Sequence, residues 1–395
     1  MYKARLLLTA IAAVMITPAV AAPQTPPEEE MVWPMAPDLP RIRYVGYLQS
    51  ERDIGAGQQS FLGRMRTGIL GESRTLLTVN RPYDVYVSPG GLIYVSNGTK
   101  LGVLMFDPEK KEATVIRGVG PASVAKAMGI TGDAAENIYV ADASGRRVIV
   151  QNNQSEFIRA IGGPDILLNP VDVALSPDED RIYVSDSYLH QVLIFDAEGE
   201  LVGRIGKHEG DLAAKEDRRN AEPHGSMGAN PPENPTREAG DESSDLFENR
   251  GRGESEFRYP SFLSTAPDGT LYVTDAMNFR IQAFTRDGEF LRQIGALGDR
   301  PGSFARPKGS AVDSDGNFYA VDAAFGNVQI FDTEGRLLLA FSEMGNGPGQ
   351  IWMPLGMAID GQNRIFVADR FNNRLQVFQY LHQDDDGTAT GPDGG

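Results

Sequence analysis

The chain has 395 residues, a formal net charge of −17 and no cysteine. Without cysteine there is no disulfide framework, no thiolate nucleophile, no CxxCH haem attachment and no lipid anchor at a cleavage-site Cys. So acidic a surface repels nucleic acid at long range, which excludes it as a partner and favours solubility or cationic partners.

The chain opens MYKARLLLTAIAAVMITPAVAAPQ, with Lys3 and Arg5 ahead of an apolar run from Leu6 to Ile16 and a small-residue exit at Ala19-Val20-Ala21. This reads as an export signal over residues 1–21, cut after Ala21, which places the mature chain in the periplasm or outside the cell. The apolar run is too short to span a bilayer as a helix, and no later segment reaches the roughly 20 apolar residues a span needs. Residues 22–40 read as a Pro-rich linker.

From residue 41 the chain repeats itself. One short strand recurs as IYVSN (93–97), IYVAD (138–142), IYVSD (182–186), LYVTD (271–275), FYAVD (318–322) and IFVAD (365–369). Its second residues, Tyr94, Tyr139, Tyr183, Tyr272, Tyr319 and Phe366, are spaced by 45, 44, 89, 47 and 47 positions. Around it stand four β-type runs per unit, punctuated by SPDE, PDG, SDG, RDG and TEG turns. Four strands in 40 to 47 residues is the signature of a propeller blade. The predicted fold is all-β: a six-bladed propeller of four-stranded antiparallel blades over residues 41–381.

The units resemble NHL repeats, with the pattern P-x-x-V-A-V-D-x-x-G-x-I-Y-V-A-D-x-x-N-x-R-V-Q-V-F-D. The resemblance covers nearly all of 41–381 and implies the fold far more than any activity. The spacing of 89 holds an insertion, not a seventh blade. Residues 207–258 contain no Val, Ile, Tyr or Trp to build four strands, and their acidic, Gly- and Pro-rich composition reads as a mobile polar loop.

The last unit has three strands and then runs into HQDDDGTATGPDGG, residues 382–395, expected as a disordered acidic tail. The segment RIRYVGYL (41–48) resembles a fourth-strand run. It is expected to pair onto the last blade, closing the ring into a monomeric disc with no open sheet edge.

Antiparallel topology puts the loop entering each inner strand on the same face as the loop between strands two and three. That upper face is where the insertion rises. Asp142, Asp186, Asp275, Asp322 and Asp369 begin five of the second-to-third-strand loops and are expected to bond turn amides. The bulky groups Tyr188, His190, Phe279, Phe325 and Phe371 converge there and read as a recognition surface for a protein, peptide or surface polymer. Arg280 and Arg374, ending two of the loops, either brace them or extend that surface.

Catalytic readings are weaker, and no catalytic residue is assigned. Some propellers with similar repeats are zinc-dependent peptidylglycine lyases or metal-dependent lactonases, so a metal-assisted enzyme is the alternative that the resemblance implies. A zinc site needs converging imidazoles, yet of His190, His208, His224 and His382 only His190 falls on a blade loop. Aligned inner strands place Asp84, Met128, Asp172, Phe262, Gly309 and Gly356 at one position near the channel entrance. There Asp84 and Asp172 either hold Ca²⁺ or Mg²⁺ or bond backbone amides. No G-x-S-x-G, P-loop or HExxH motif occurs. The lead-in MVWPMAPDLPRIRYVGYL resembles that of exported NHL proteins of metal-respiring bacteria, which implies an accessory role in envelope electron-transfer assemblies.

Overall fold

The computed structural model describes residues 31–35, 37–55, 76–98, 102–118, 120–206, 251–383 and 389–390. The leader, residues 207–250 of the insertion and most of the acidic tail lie outside them. The described residues form no α-helix, and none of their helical turns is long and apolar enough to cross a membrane.

Six blades make the ring. Blades one to five occupy residues 84–116, 127–161, 170–205, 260–294 and 307–341, each as four antiparallel strands in chain order. Blade six supplies Met357–Ile359, Arg364–Asp369 and Arg374–Tyr380, and its fourth strand is Ile42–Leu48, paired Ile42↔Tyr380 through Leu48↔Leu375. The expected ring closure is therefore the observed one. Beyond it the Pro-rich lead-in adds a short edge strand, Val32–Trp33, where only a linker was expected. Trp33 packs on Phe341 and Phe378 at ring-centroid distances of 5.9 and 5.8 Å, tying blade five to blade six. In the tail, the backbone of His382–Gln383 pairs with that of Ala389–Thr390.

Burial explains why the strands differ along each blade. The inner strand of blade three, Pro170–Leu175, is buried throughout because neighbouring blades cover both of its faces. Outermost strands such as Leu201–Ile205 and Phe290–Ile294 alternate between half-buried and exposed, as a sheet wetted on one side must. The recurring aromatic of the IYV strand is the wedge between blades: Tyr94, Tyr183, Tyr272, Tyr319 and Phe366 are all essentially inaccessible. Each such side chain contributes about 1.5–3 kcal/mol of hydrophobic burial. The core is accordingly six clusters, one per blade junction. Ala174, Tyr183 and Ile194 meet Leu263, Val273 and Phe284 at the junction of blades three and four.

A bulge sets the start of the inner strands. Pro170 pairs with Asp186 but Asp172 with Ser185, and Ala127 with Asp142 but Ile130 with Val140. Counted across this bulge, the residue equivalent to Asp84 and Asp172 in blade two is Gly129, one position beyond the expected Met128.

Candidate recognition face and channel

The upper face is built on the five aspartates. Asp186 accepts hydrogen bonds from the backbone N–H groups of Leu168, Asn169, Tyr188 and Leu189 at 2.6–3.1 Å. Asp322 does the same for Ala305, Arg306, Ala324 and Phe325, and Asp142 for Ala125, Lys126 and Gly145. One buried carboxylate thus pins both upper loops of its blade, satisfying donors that neither loop satisfies internally. The turn-amide role expected of these residues is observed at Asp142, Asp186 and Asp322, whereas Asp275 and Asp369 each accept one N–H from the entering loop, from Arg258 and Trp352, and otherwise bond side chains.

Blades four and six add a second device, repeated with nearly the same geometry. Arg280 Nε donates to Asp275 at 2.8 Å, while its Nη2 donates to the carbonyls of Gly253 and Glu256 at 2.8 and 3.0 Å. Arg374 Nε donates to Asp369 at 2.9 Å, and its Nη2 to the carbonyls of Gly347 and Gln350 at 2.8 and 3.0 Å. Both guanidiniums are buried beneath the loops. Of the two roles the sequence left open for Arg280 and Arg374, bracing is the one that the geometry displays. The same contacts give residues 251–258 defined packing, with Phe257 buried against Phe284.

The aromatic candidates separate by exposure. Phe371 is 43% exposed and lies edge-to-face with Trp352 at 5.5 Å, with the Arg81 guanidinium 6.0 Å from its ring centre. His190 sits edge-on to Tyr259 at 4.8 Å, and its Nδ1 accepts a hydrogen bond from the Tyr259 N–H. It links blade three to the loop entering blade four. Tyr188 is half-buried against the core between blades two and three, and Phe279 and Phe325 are half-buried in their loops. The structure brings Phe371 next to Trp352, which sequence reasoning missed. Tyr259, Met277, Leu297 and Met344 are also exposed on upper-face loops. The signal available in the sequence was position: Trp352 stands just ahead of an inner strand, in a junction read only as a boundary.

Outermost strands expose several large apolar side chains, Val45, Phe157 and Val202 among them, but in the blade loops such exposure is one-sided. Among the described residues, every loop that exposes one beyond the lead-in belongs to the upper face; the tight turns opposite expose none. Those turns are acidic, and their cations are paired: Arg286 with Asp178 and Asp180, Arg336 with Asp332 and Glu334, Arg364 with Asp360.

The central channel holds a cavity of about 170 Å³, running from Asp84, Asp172 and Phe262 down to Leu175, Thr265, Val312 and Ile359. Tyr83 stacks on Phe262 from the opposite blade at 5.4 Å and, with buried Met128 and Leu355, fills its upper end. Asp84 accepts a hydrogen bond from Ile130 N–H at 3.0 Å. Asp172 accepts from Val173 N–H and Leu263 N–H, both at 2.8 Å. Each carboxyl therefore ties its own inner strand to that of the next blade while lying over a glycine of the previous one, Gly356 under Asp84 and Gly129 under Asp172. Burial pushes the Asp84 carboxyl up to about 7 against the lowering effect of its amide bonds. Burial, and then the Asp84 charge, push Asp172 well above the usual carboxylate range. A hard divalent ion takes six to eight oxygens from ionised carboxylates, carbonyls and water. Asp84 and Asp172 are both engaged by amides and biased toward protonation, and no three His, Asp or Glu residues cluster as a metal site among the described residues.

A family model for a 6-bladed beta-propeller matches residues 254–324, and the NHL repeat model matches residues 352–378. No curated protein matches the chain. Among solved structures, an auxiliary nutrient binding protein from Bacteroides thetaiotaomicron is similar at 13% identity and TM-score 0.52, over 76% of this chain and 69% of that one. A gluconolactonase from Xanthomonas campestris is similar at 16% identity and TM-score 0.51, over 76% of this chain and 86% of that one. At such identities the likeness speaks for fold alone. The chain is a six-bladed β-propeller of the NHL-repeat type.

Proposed function

We propose that the protein is an exported, non-catalytic recognition propeller whose upper face binds a partner protein or peptide. The observation that carries this reading is the one-sided exposure of large apolar loop side chains, led by Trp352 and Phe371. Aromatic and Arg side chains on a rigid support are the groups that dominate interface energies, and here they rest on aspartate- and arginine-pinned loops. The engaged state of Asp84 and Asp172 supports a structural role for the channel acids rather than a reaction centre.

The test is a pair of substitutions, Phe371→Asp and Trp352→Asp, measured by melting temperature and by partner capture with the full chain. Retained melting with lost capture is the expected result. Retained melting with undiminished capture would place recognition elsewhere. Export is checked by sequencing the mature N-terminus in the extracytoplasmic fraction, with cleavage after Ala21 expected. The accessory role in electron-transfer assemblies is checked by whether the captured partner is a haem protein.

A further inference from the structure

Although the chain is strongly acidic overall, four cations gather on the upper face across blades five, six and one, in loops that also carry acids such as Asp299 and Glu343. Arg306 and Lys308 open the inner strand of blade five, Arg370 begins the second loop of blade six, and Arg81 precedes the inner strand of blade one. Arg306, Arg81 and Arg370 form a continuous strip with the aromatic pair, and Lys308 stands close enough to Arg306 to feel its charge. Arg306 Nη1 lies 3.7 Å from Met353 Sδ, next to Trp352. Trp352 meets Phe371 at 5.5 Å, and Phe371 sits 6.0 Å from the Arg81 guanidinium. Arg370 Nη1 reaches the Arg81 carbonyl at 3.5 Å.

None of these four cations makes an ion pair with a described carboxylate, whereas Arg286, Arg336 and Arg364 on the opposite face are all paired. Like charges stand together instead. Burial, and then the Arg81 charge, lower the Arg370 pKa, and burial with the Arg306 charge lowers that of Lys308 to about 8 against the opposing pull of Asp322. Arg81 and Met353 moreover hold left-handed backbone at φ +46 and +50, where glycine would be less strained. Clustered cations that lack an ion-pair partner, beside an exposed aromatic pair, are what a negatively charged ligand with an apolar neighbour would relieve.

We infer that the strip Arg306, Lys308, Trp352, Phe371, Arg81 and Arg370 binds an acidic peptide segment of a partner, in which Asp or Glu residues flank an apolar side chain. The inference rests on the recognition reading above and names its chemistry. A polyphosphate or nucleic acid is the less favoured anion, because the rest of the acidic molecule repels a long polyanion, and a polyphosphate offers the aromatic pair nothing apolar.

The probe is a short fluorescent Glu-rich peptide carrying one Leu, compared by anisotropy with its Gln analogue, with a Leu→Ser version and with inorganic polyphosphate. Saturable binding of the Glu peptide is expected, weakened by added salt and by loss of Leu, and absent for the Gln analogue. The double variant R81E/R370E is expected to lose roughly tenfold or more, and Arg336→Glu on the opposite face nothing measurable. Bound peptide should also slow modification of Lys308 by an amine reagent. Binding unchanged in R81E/R370E and in Arg306→Gln would overturn the proposal, as would polyphosphate binding as tightly as the peptide. If R81E/R370E keeps partner capture while Trp352→Asp and Phe371→Asp lose it, the anion assignment alone falls. Should none of these variants alter capture, the recognition reading falls too.

Discussion

The two faces of the disc are made from the same repeat yet solve the same problem differently. On the lower face, turns of a few residues close on themselves: Asp313 accepts from Asp315 and Asn317 N–H groups and from the Tyr319 hydroxyl, and Asp133 repeats this with Ala135, Asn137 and Tyr139. On the upper face the loops entering the inner strands are longer, and buried Asp and Arg side chains reach across to hold them. A loop held from beneath is free to present aromatic and cationic side chains outward. The difference shows how one repeat can carry a closed face and a displaying face.

The largest expected effect comes from removing that support. Arg374→Ala leaves Asp369 buried without its cation and frees the carbonyls of Gly347 and Gln350, an expected loss of about 3–5 kcal/mol in urea unfolding. Arg336→Ala on the lower face removes an exposed pair and is expected to leave the unfolding midpoint unchanged. Equal effects would abolish the distinction between the faces.

Next comes the channel. A Cβ added at Gly356 would run into the Asp84 carboxyl, so Gly356→Ala is expected to cost about 1–3 kcal/mol, whereas Ala at exposed Gly361, with open space around its Cβ, should be tolerated.

A smaller effect follows from pH. Burial pushes the folded carboxyl of Asp84 up to about 7 from an ordinary 3.8, so the folded state binds the extra proton between these values. Its contribution to stability is therefore fullest below about pH 4 and is lost as pH rises toward 7 and beyond. Asp84→Asn should flatten the fall in melting temperature between pH 5 and pH 8. An unchanged slope would mean that the carboxyl is ionised throughout.

The smallest effect on stability is expected at Trp352 and Phe371, where substitution by Asp should leave melting within about 0.5 kcal/mol of the parent. There the whole consequence should fall on binding.

Much of this architecture was legible in the residues. The spacing of Tyr94 to Phe366 reports the blades because one wedge is needed at every junction, and RIRYVGYL betrays itself as a displaced strand because the last unit lacks one. The register of blade two was legible as well: ten positions before the recurring aromatic stand Asp84, Phe262, Gly309 and Gly356, and the same count from Tyr139 gives Gly129, so Met128 was a misalignment by one. Burial of Arg280 and Arg374 was hidden, since a strand-opening Arg looks the same whether its loop folds over it or away. Trp352 was overlooked because the packing that leaves it exposed beside Phe371 depends on two loops separated in sequence.

The most direct test of the displaying face places a photo-crosslinking amino acid at position 371 and, separately, at position 315 in the lower turns, in the cells that make the protein. The account predicts a specific adduct with a partner protein from position 371 and none from position 315. An adduct confined to position 315, with none from 371, would contradict it.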